Sequence, residues 1–258
     1  MKVTFPHLGN AYIAIEALLR GLGHEPIAPP PTTRHTLELG SLHSPGELCL
    51  PFKIVLGNML EGLELGADSV LMIGGWGPCR LGYYGEIQRI LLEALGKRVE
   101  FITLEVPRGS YATYFQRFRK LAAARSAKAL LHGARLSWAK LTALEGLEEL
   151  ALKARPREQI SGAASRYLQE QLARLREAET VHEVQQIVEE AEVGFRAIMG
   201  PERAHLLRVG LLGEIYTVVE SFANLGVEER LGELGVEVVR TISLREWVEN
   251  HIFRKALG

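Results

Sequence analysis

The first hundred residues constrain the fold most. Short apolar segments alternate there with amphipathic ones, and the amphipathic ones end on glycine. Val3-Thr4-Phe5 reads as a strand, Ala11–Leu22 as a helix stopped by Gly23, and His24–Ala28 as a second strand closed by Pro29-Pro30-Pro31. Thr36–Leu42 reads as a short helix and Pro51–Leu65 as a longer one stopped by Gly66. Ser69–Ile73 follows as a buried strand, Tyr83–Leu95 as a helix stopped by Gly96, and Val99–Val106 as a last strand. Glycine just past an apolar-periodic run is a helix stop, because it adopts positive φ without a Cβ clash. Strands separated by helices cannot pair as hairpins, so this order predicts a parallel, wound α/β sheet. Ligands of such sheets bind beyond the carboxyl ends of the strands. The turns Pro29–Thr33 and Gly74–Cys79 follow strands and fall on that edge.

The remaining chain changes character twice. Residues 107–205 carry long helical patterns, such as Tyr111–Leu131, Ala164–Ala178 and Val181–Met199, and hold 16 Lys+Arg against 12 Asp+Glu. The charges are evenly interleaved, which reads as a solvated helix surface. From residue 206 the α/β pattern resumes. Leu207–Leu212 and Val236–Thr241 read as strands. Gly213-Glu214-Ile215-Tyr216 reads as a turn, and Glu220–Leu225, Val227–Leu234 and Trp247–Leu257 as helices. Two strands are too few to stand alone, so this part must pack on something else. The division expected is thus 1–106, an α/β domain with both cysteines; 107–205, a helical segment; and 206–258, a partial second α/β domain.

Composition excludes several classes. Net charge is −1 over 258 residues, so nothing global points to nucleic acid or a membrane surface. No apolar run is long enough for a membrane-spanning helix. Two cysteines make no disulfide framework, and a reducing, cytoplasmic compartment is the expectation. There is no P-loop, no Gly-x-Gly-x-x-Gly after the first strand and no Gly-x-Ser-x-Gly elbow.

Both cysteines stand just before helical patterns, thirty residues apart. Cys49 opens Cys49-Leu50-Pro51-Phe52-Lys53, and Cys79 lies in Gly74-Gly75-Trp76-Gly77-Pro78-Cys79-Arg80. A helix N-terminus offers free N–H groups and positive potential, which favour a thiolate. Thiolates select iron–sulfur, zinc or copper(I); buried structural cysteines are the ordinary alternative. Gly75 and Gly77 would let a bulky ligand approach the backbone. Lys53 and Arg80 oppose the dipole at their helix starts, which suggests a compensating anion. Glu86 is the expected partner of one of them. His43 reads as a surface loop residue and Asn10 as the cap of the Ala11 helix.

An ordered set of motifs resembles one family. Lys2–Asn10, Thr36–Gly40, Cys49–Lys53, Leu56-Gly57-Asn58, Gly66-Ala67-Asp68, Gly77–Tyr84 and Gly213–Tyr216 together look like 2-hydroxyacyl-CoA dehydratase subunits, nearest to the stand-alone branch labelled CoA protein activase. The resemblance implies flavodoxin-like domains around a [4Fe–4S] cluster held by cysteines. It implies low-potential electron transfer or radical dehydration of an acyl-CoA, fed by an ATP-dependent activator protein. Cys49 and Cys79 match two ligand positions of the family, with Gly75, Gly77 and Arg80 beside the second. Related chains continue with a Pro-Phe-x-Cys-Met-Pro-Glu type segment bearing a third cysteine. This sequence ends at Gly258 without it, so the remaining ligands are expected from a second copy of the chain, a separately encoded partner subunit, or the lost end of a truncated gene. The alternative is a non-catalytic scaffold or assembly partner with an incomplete cluster site.

Overall fold

The computed structural model describes residues 1–75, 81–106, 122, 126–201 and 206–250. They form two compact units, Met1–Leu8 with Ile15–Ala134, and Gly9–Ala14 with Arg135–Gly258.

The first unit is a wound α/β sheet of flavodoxin-like type. Its strands are β1 (Lys2–Thr4), β2 (Glu25–Ile27), β3 (Ser69–Gly75) and β4 (Glu100–Val106), all parallel, in the order β2-β1-β3-β4. Helices α1 (Tyr12–Leu22), α2 (Arg34–Leu42), α3 (Leu50–Glu64) and α4 (Leu81–Ala94) follow the glycine stops closely. Gly23, Gly66 and Gly96 all have positive φ. Val3, Phe5, Val70, Leu71 and Met72 of the sheet region are buried, as are Phe52, Ile54, Leu56 and Met59 of α3.

Two contacts in this unit need glycine for its small size. A Cβ built on Gly40 of α2 would stand 1.7 Å from the Lys53 carbonyl oxygen, and one on Gly57 of α3 2.0 Å from that of Thr36. The α2–α3 pair therefore packs backbone against backbone.

The register locates the switch point. β1 pairs Val3 with Ser69 and Thr4 with Val70, then ends, whereas β3 runs on to Gly75 with β4 alone beside it. Order reverses between β1 and β3, and the carboxyl edge at such a point is where ligands of wound sheets bind.

In the second unit, the part of α5 (Ala127–Ala154) from Arg135 on, α6 (Ala163–Glu177) and α7 (Val181–Ile198) bury regular stripes, for example Leu144, Leu147 and Ala151, and Val184, Ile187, Ala191 and Phe195. The 28-residue α5 was not foreseen, and most of the expected Tyr111–Leu131 helix lies outside the described residues. Strands β5 (Arg208–Leu211) and β6 (Glu237–Arg240) make a two-stranded parallel sheet. Its support comes from its own unit. Arg240 reaches Glu148 of α5 and Glu228 of α9 (Val227–Glu233), and Arg157 reaches Glu237.

Several expectations for this part are corrected. Glu220–Leu225 is a series of turns rather than a helix. The Asn224 side chain accepts from the Gly226 and Val227 amides, and Leu225 and Gly226 both take positive φ, which ends any helix. Gly213–Tyr216 leads into a short helix, α8 (Ile215–Val219), capped by the Glu214 carboxylate on the Tyr216 and Thr217 amides. The last helix, α10 (Leu244–Val248), starts earlier than expected because Ser243 caps it. Residues 251–258 lie outside the described set.

Candidate functional site

Helix α3 leads back to the amino edge of the sheet, where Asp68 donates its amide to the Lys2 carbonyl beside β1. Its fifteen residues span about 22 Å at the usual rise. Its N-terminus is therefore returned to the carboxyl edge, and Cys49 is its cap. The cysteine is extended (φ −68°, ψ 160°), with Pro51 in the first turn and the Cys49 carbonyl accepting from Phe52 N at 3.1 Å. The cap interaction is backbone only, which leaves the thiol available.

That thiol is half-buried and hydrogen-bonded to the hydroxyl of Tyr84, in the first turn of α4. Tyr84 is itself buried, and its ring meets Phe52 edge to face at 4.9 Å. Such a pair contributes about 0.5–1.5 kcal/mol beyond area burial and fixes where the hydroxyl points. The starts of α3 and α4 are thus neighbours at the strand-end edge. One turn beyond Tyr84 on the same helix face is Gln88, fully buried, with neither amide atom hydrogen-bonded. Orphaned buried polar atoms cost about 1–3 kcal/mol each and concentrate at functional places. Neither Tyr84 nor Gln88 was given a role from sequence. A polar residue one turn from a motif tyrosine was the available signal.

A second polar group lies along the inner face of α3. Asn58 is fully buried and accepts from the His7 amide at 3.2 Å, while the His7 ring contacts the Pro29 carbonyl at 2.8 Å. Glu61 lies one turn on, and Thr36 donates to its carboxylate at 3.0 Å. Burial raises the Glu61 pKa above the usual carboxylate range, against the Thr36 hydrogen bond that lowers it. His7, Pro29, Thr36 and Asn58 tie the turns after β1 and β2 to α3, and so hold the helix that carries Cys49.

The other sequence candidates divide. Gly75 ends β3, paired with Val106. Gly77, Cys79 and Arg80 lie outside the described residues, as does Trp76. The Lys53 ammonium donates to the Gly46 carbonyl at 3.2 Å. Glu86 pairs with Arg89 at 2.5 Å, three residues along the same helix, while Arg80 lies outside the described residues. His43 is the C-cap of α2. In the second unit, the Asn10 side chain donates to Glu148 at 2.7 Å, while its carbonyl accepts from Ile13.

The donor chemistry fits one corner of a soft-metal site, a half-exposed thiol at a helix start. Among the described residues, no three His, Cys, Asp or Glu side chains stand together to hold a metal ion. Nor is any helix there long and apolar enough to cross a membrane. No protein-family model and no curated protein matches the chain.

Proposed function

We propose that the chain is an iron–sulfur protein related to 2-hydroxyacyl-CoA dehydratase subunits, acting in low-potential electron transfer or radical dehydration of an acyl-CoA. One observation carries this reading. Cys49 caps α3 at the carboxyl edge and meets Tyr84, a residue only five positions after Cys79 in sequence. That neighbourhood supports Cys49 and Cys79 as two thiolate ligands of one [4Fe–4S] cluster, with Gly75, Gly77 and Arg80 beside it. Further ligands would come from a second copy of the chain, a separately encoded partner subunit, or chain beyond Gly258. When bound, the cluster would supply a one-electron reductant. The protein's part is to hold the thiolates, keep the edge enclosed with Phe52 and Tyr84, and place a hydroxyl against sulfur. Hydrogen bonds to sulfur and solvent exposure are the levers that set a cluster's potential.

The test is anaerobic reconstitution of the Cys49→Ser and Cys79→Ser variants, followed by absorbance and electron paramagnetic resonance. Each variant is expected to lose the cluster signal. A signal unchanged in both removes the ligand assignment. Tyr84→Phe should keep the iron and lower the midpoint potential, because the reduced cluster loses a hydrogen bond. An unchanged potential would show that Tyr84 does not tune it.

A further inference from the structure

The second unit holds a cleft of about 540 Å³ lined by Lys153, Arg157, Arg196, Met199, Gly200, Arg208 and Glu237. Four cations from four different elements converge there: the end of α5, the 3-10 turn Arg155–Arg157, the last turn of α7 and the start of β5. Among the described residues lining it, Glu237 is the one carboxylate, so these side chains carry three more positive charges than negative.

The arrangement is built rather than scattered. Glu237 is 6% exposed at its side chain and accepts from two guanidiniums, Arg157 at 2.5 Å and Arg208 at 2.9 Å. Arg157 also donates to the Lys153 carbonyl at 2.6 Å, so its plane is fixed from both sides. Arg208 meets Glu237 through its Nε, and its side chain is 65% exposed. The Met199–Gly200 wall is pinned by Gly200 N donating to the Arg157 carbonyl at 2.8 Å and Gln159 N to the Ile198 carbonyl at 3.3 Å. Among the described residues, Lys153 and Arg196 make solvent-exposed pairs on their own helices, with Glu149 at 2.6 Å and Glu192 at 3.5 Å. Such pairs contribute about 0–1 kcal/mol, and a more highly charged anion displaces them readily.

We infer that this cleft binds a small anion carrying two or more phosphate charges. Guanidiniums recognise phosphate bidentately, and a lysine adds a point charge. Glu237 acts as the positioning acid: it consumes one face of two arginines and presents the others. A cleft of this volume falls in the range of small-molecule sites, roughly 300–1,000 Å³, which is room for a pyrophosphate alone or for a nucleoside diphosphate.

The experiment is isothermal titration calorimetry on the full chain at low salt, with inorganic pyrophosphate and with ADP as probes. Saturable binding of both at similar affinity shows recognition of the phosphates. ADP binding about tenfold tighter or more shows a nucleotide site. Each lost charge-assisted contact is expected to weaken binding about tenfold or more, so Arg196→Gln and Arg208→Gln should each do so. Arg34→Gln, an exposed α2 residue paired with Glu38, should leave affinity unchanged. Arg196 is 73% exposed, so its variant reports on binding even if Arg208→Gln perturbs folding. Absence of binding by either probe to millimolar concentration overturns the inference, as does equal affinity of wild type and Arg196→Gln.

Discussion

Alanine in place of Gly40 tests whether the α2–α3 pair is packed as tightly as described, because two effects of opposite sign compete. On helix propensity alone, Gly→Ala inside a helix stabilises by about 1 kcal/mol. Here the new Cβ would stand 1.7 Å from the Lys53 carbonyl oxygen and 2.9 Å from Gly57 N, while ordinary contact begins near 3.4 Å. The two helices would have to separate by about 1.7 Å. Even a 0.5–1 Å gap forfeits roughly a quarter to a half of a contact's dispersion energy. Overpacking of this kind costs about 3 kcal/mol, the upper end of the usual range, because the obstacle is backbone and cannot change rotamer. The net is a loss of about 2 kcal/mol, or about 4–8 °C in melting temperature for a chain of this size. Urea denaturation followed by circular dichroism measures it. Gly146→Ala is the internal control, since a Cβ there meets nothing within 4 Å and its φ is not positive. It should stabilise by about 1 kcal/mol. Stabilisation by both substitutions would refute the close α2–α3 crossing, and with it the support for Cys49 on its helix.

Further outcomes follow from the buried charges. Arg240 is held by Glu228 through Nε and Nη2 and by Glu148 through Nη1, and its pKa is raised by the two carboxylates against the effect of burial. Arg240→Met leaves both carboxylates facing each other without their cation and should cost about 3–5 kcal/mol at neutral pH; a loss below about 1 kcal/mol in urea denaturation would contradict that. Glu61 has a folded pKa above its unfolded value, so between the two the folded state binds the extra proton. Stability should therefore fall as pH rises through that window, and Glu61→Gln should flatten the slope. A slope identical in wild type and variant would show that Glu61 is not its source.

The sheet was legible in the sequence because its signals are local. The apolar segments and the glycines after each helix mark elements whose order permits little besides parallel winding. The edge that gathers the site was legible for the same reason. The partner of the Cys49 thiol was not, since Tyr84 is thirty-five residues away and its role follows from how α3 and α4 pack. For Lys53, helix-dipole reasoning points to a compensating anion and does not register the loop carbonyl at Gly46 that takes its ammonium. The mildly basic helical segment looked like ordinary solvated surface. Only β5 and β6, joining Arg208 and Glu237 to Arg157 and Arg196, turn part of it into a cleft. The turns at Asn224 and Leu225 show the opposite case, where an apolar run lost to side-chain bonding that periodicity does not register.

The central claim is that Cys49 lies at a cluster site rather than at a merely structural helix start. Iron and acid-labile sulfide analysis of the anaerobically reconstituted full chain addresses it most directly. The account predicts a brown protein with iron and sulfide bound in nearly equal amounts, both lost on Cys49→Ser. A colourless protein with neither bound would contradict it and leave a scaffold or assembly role.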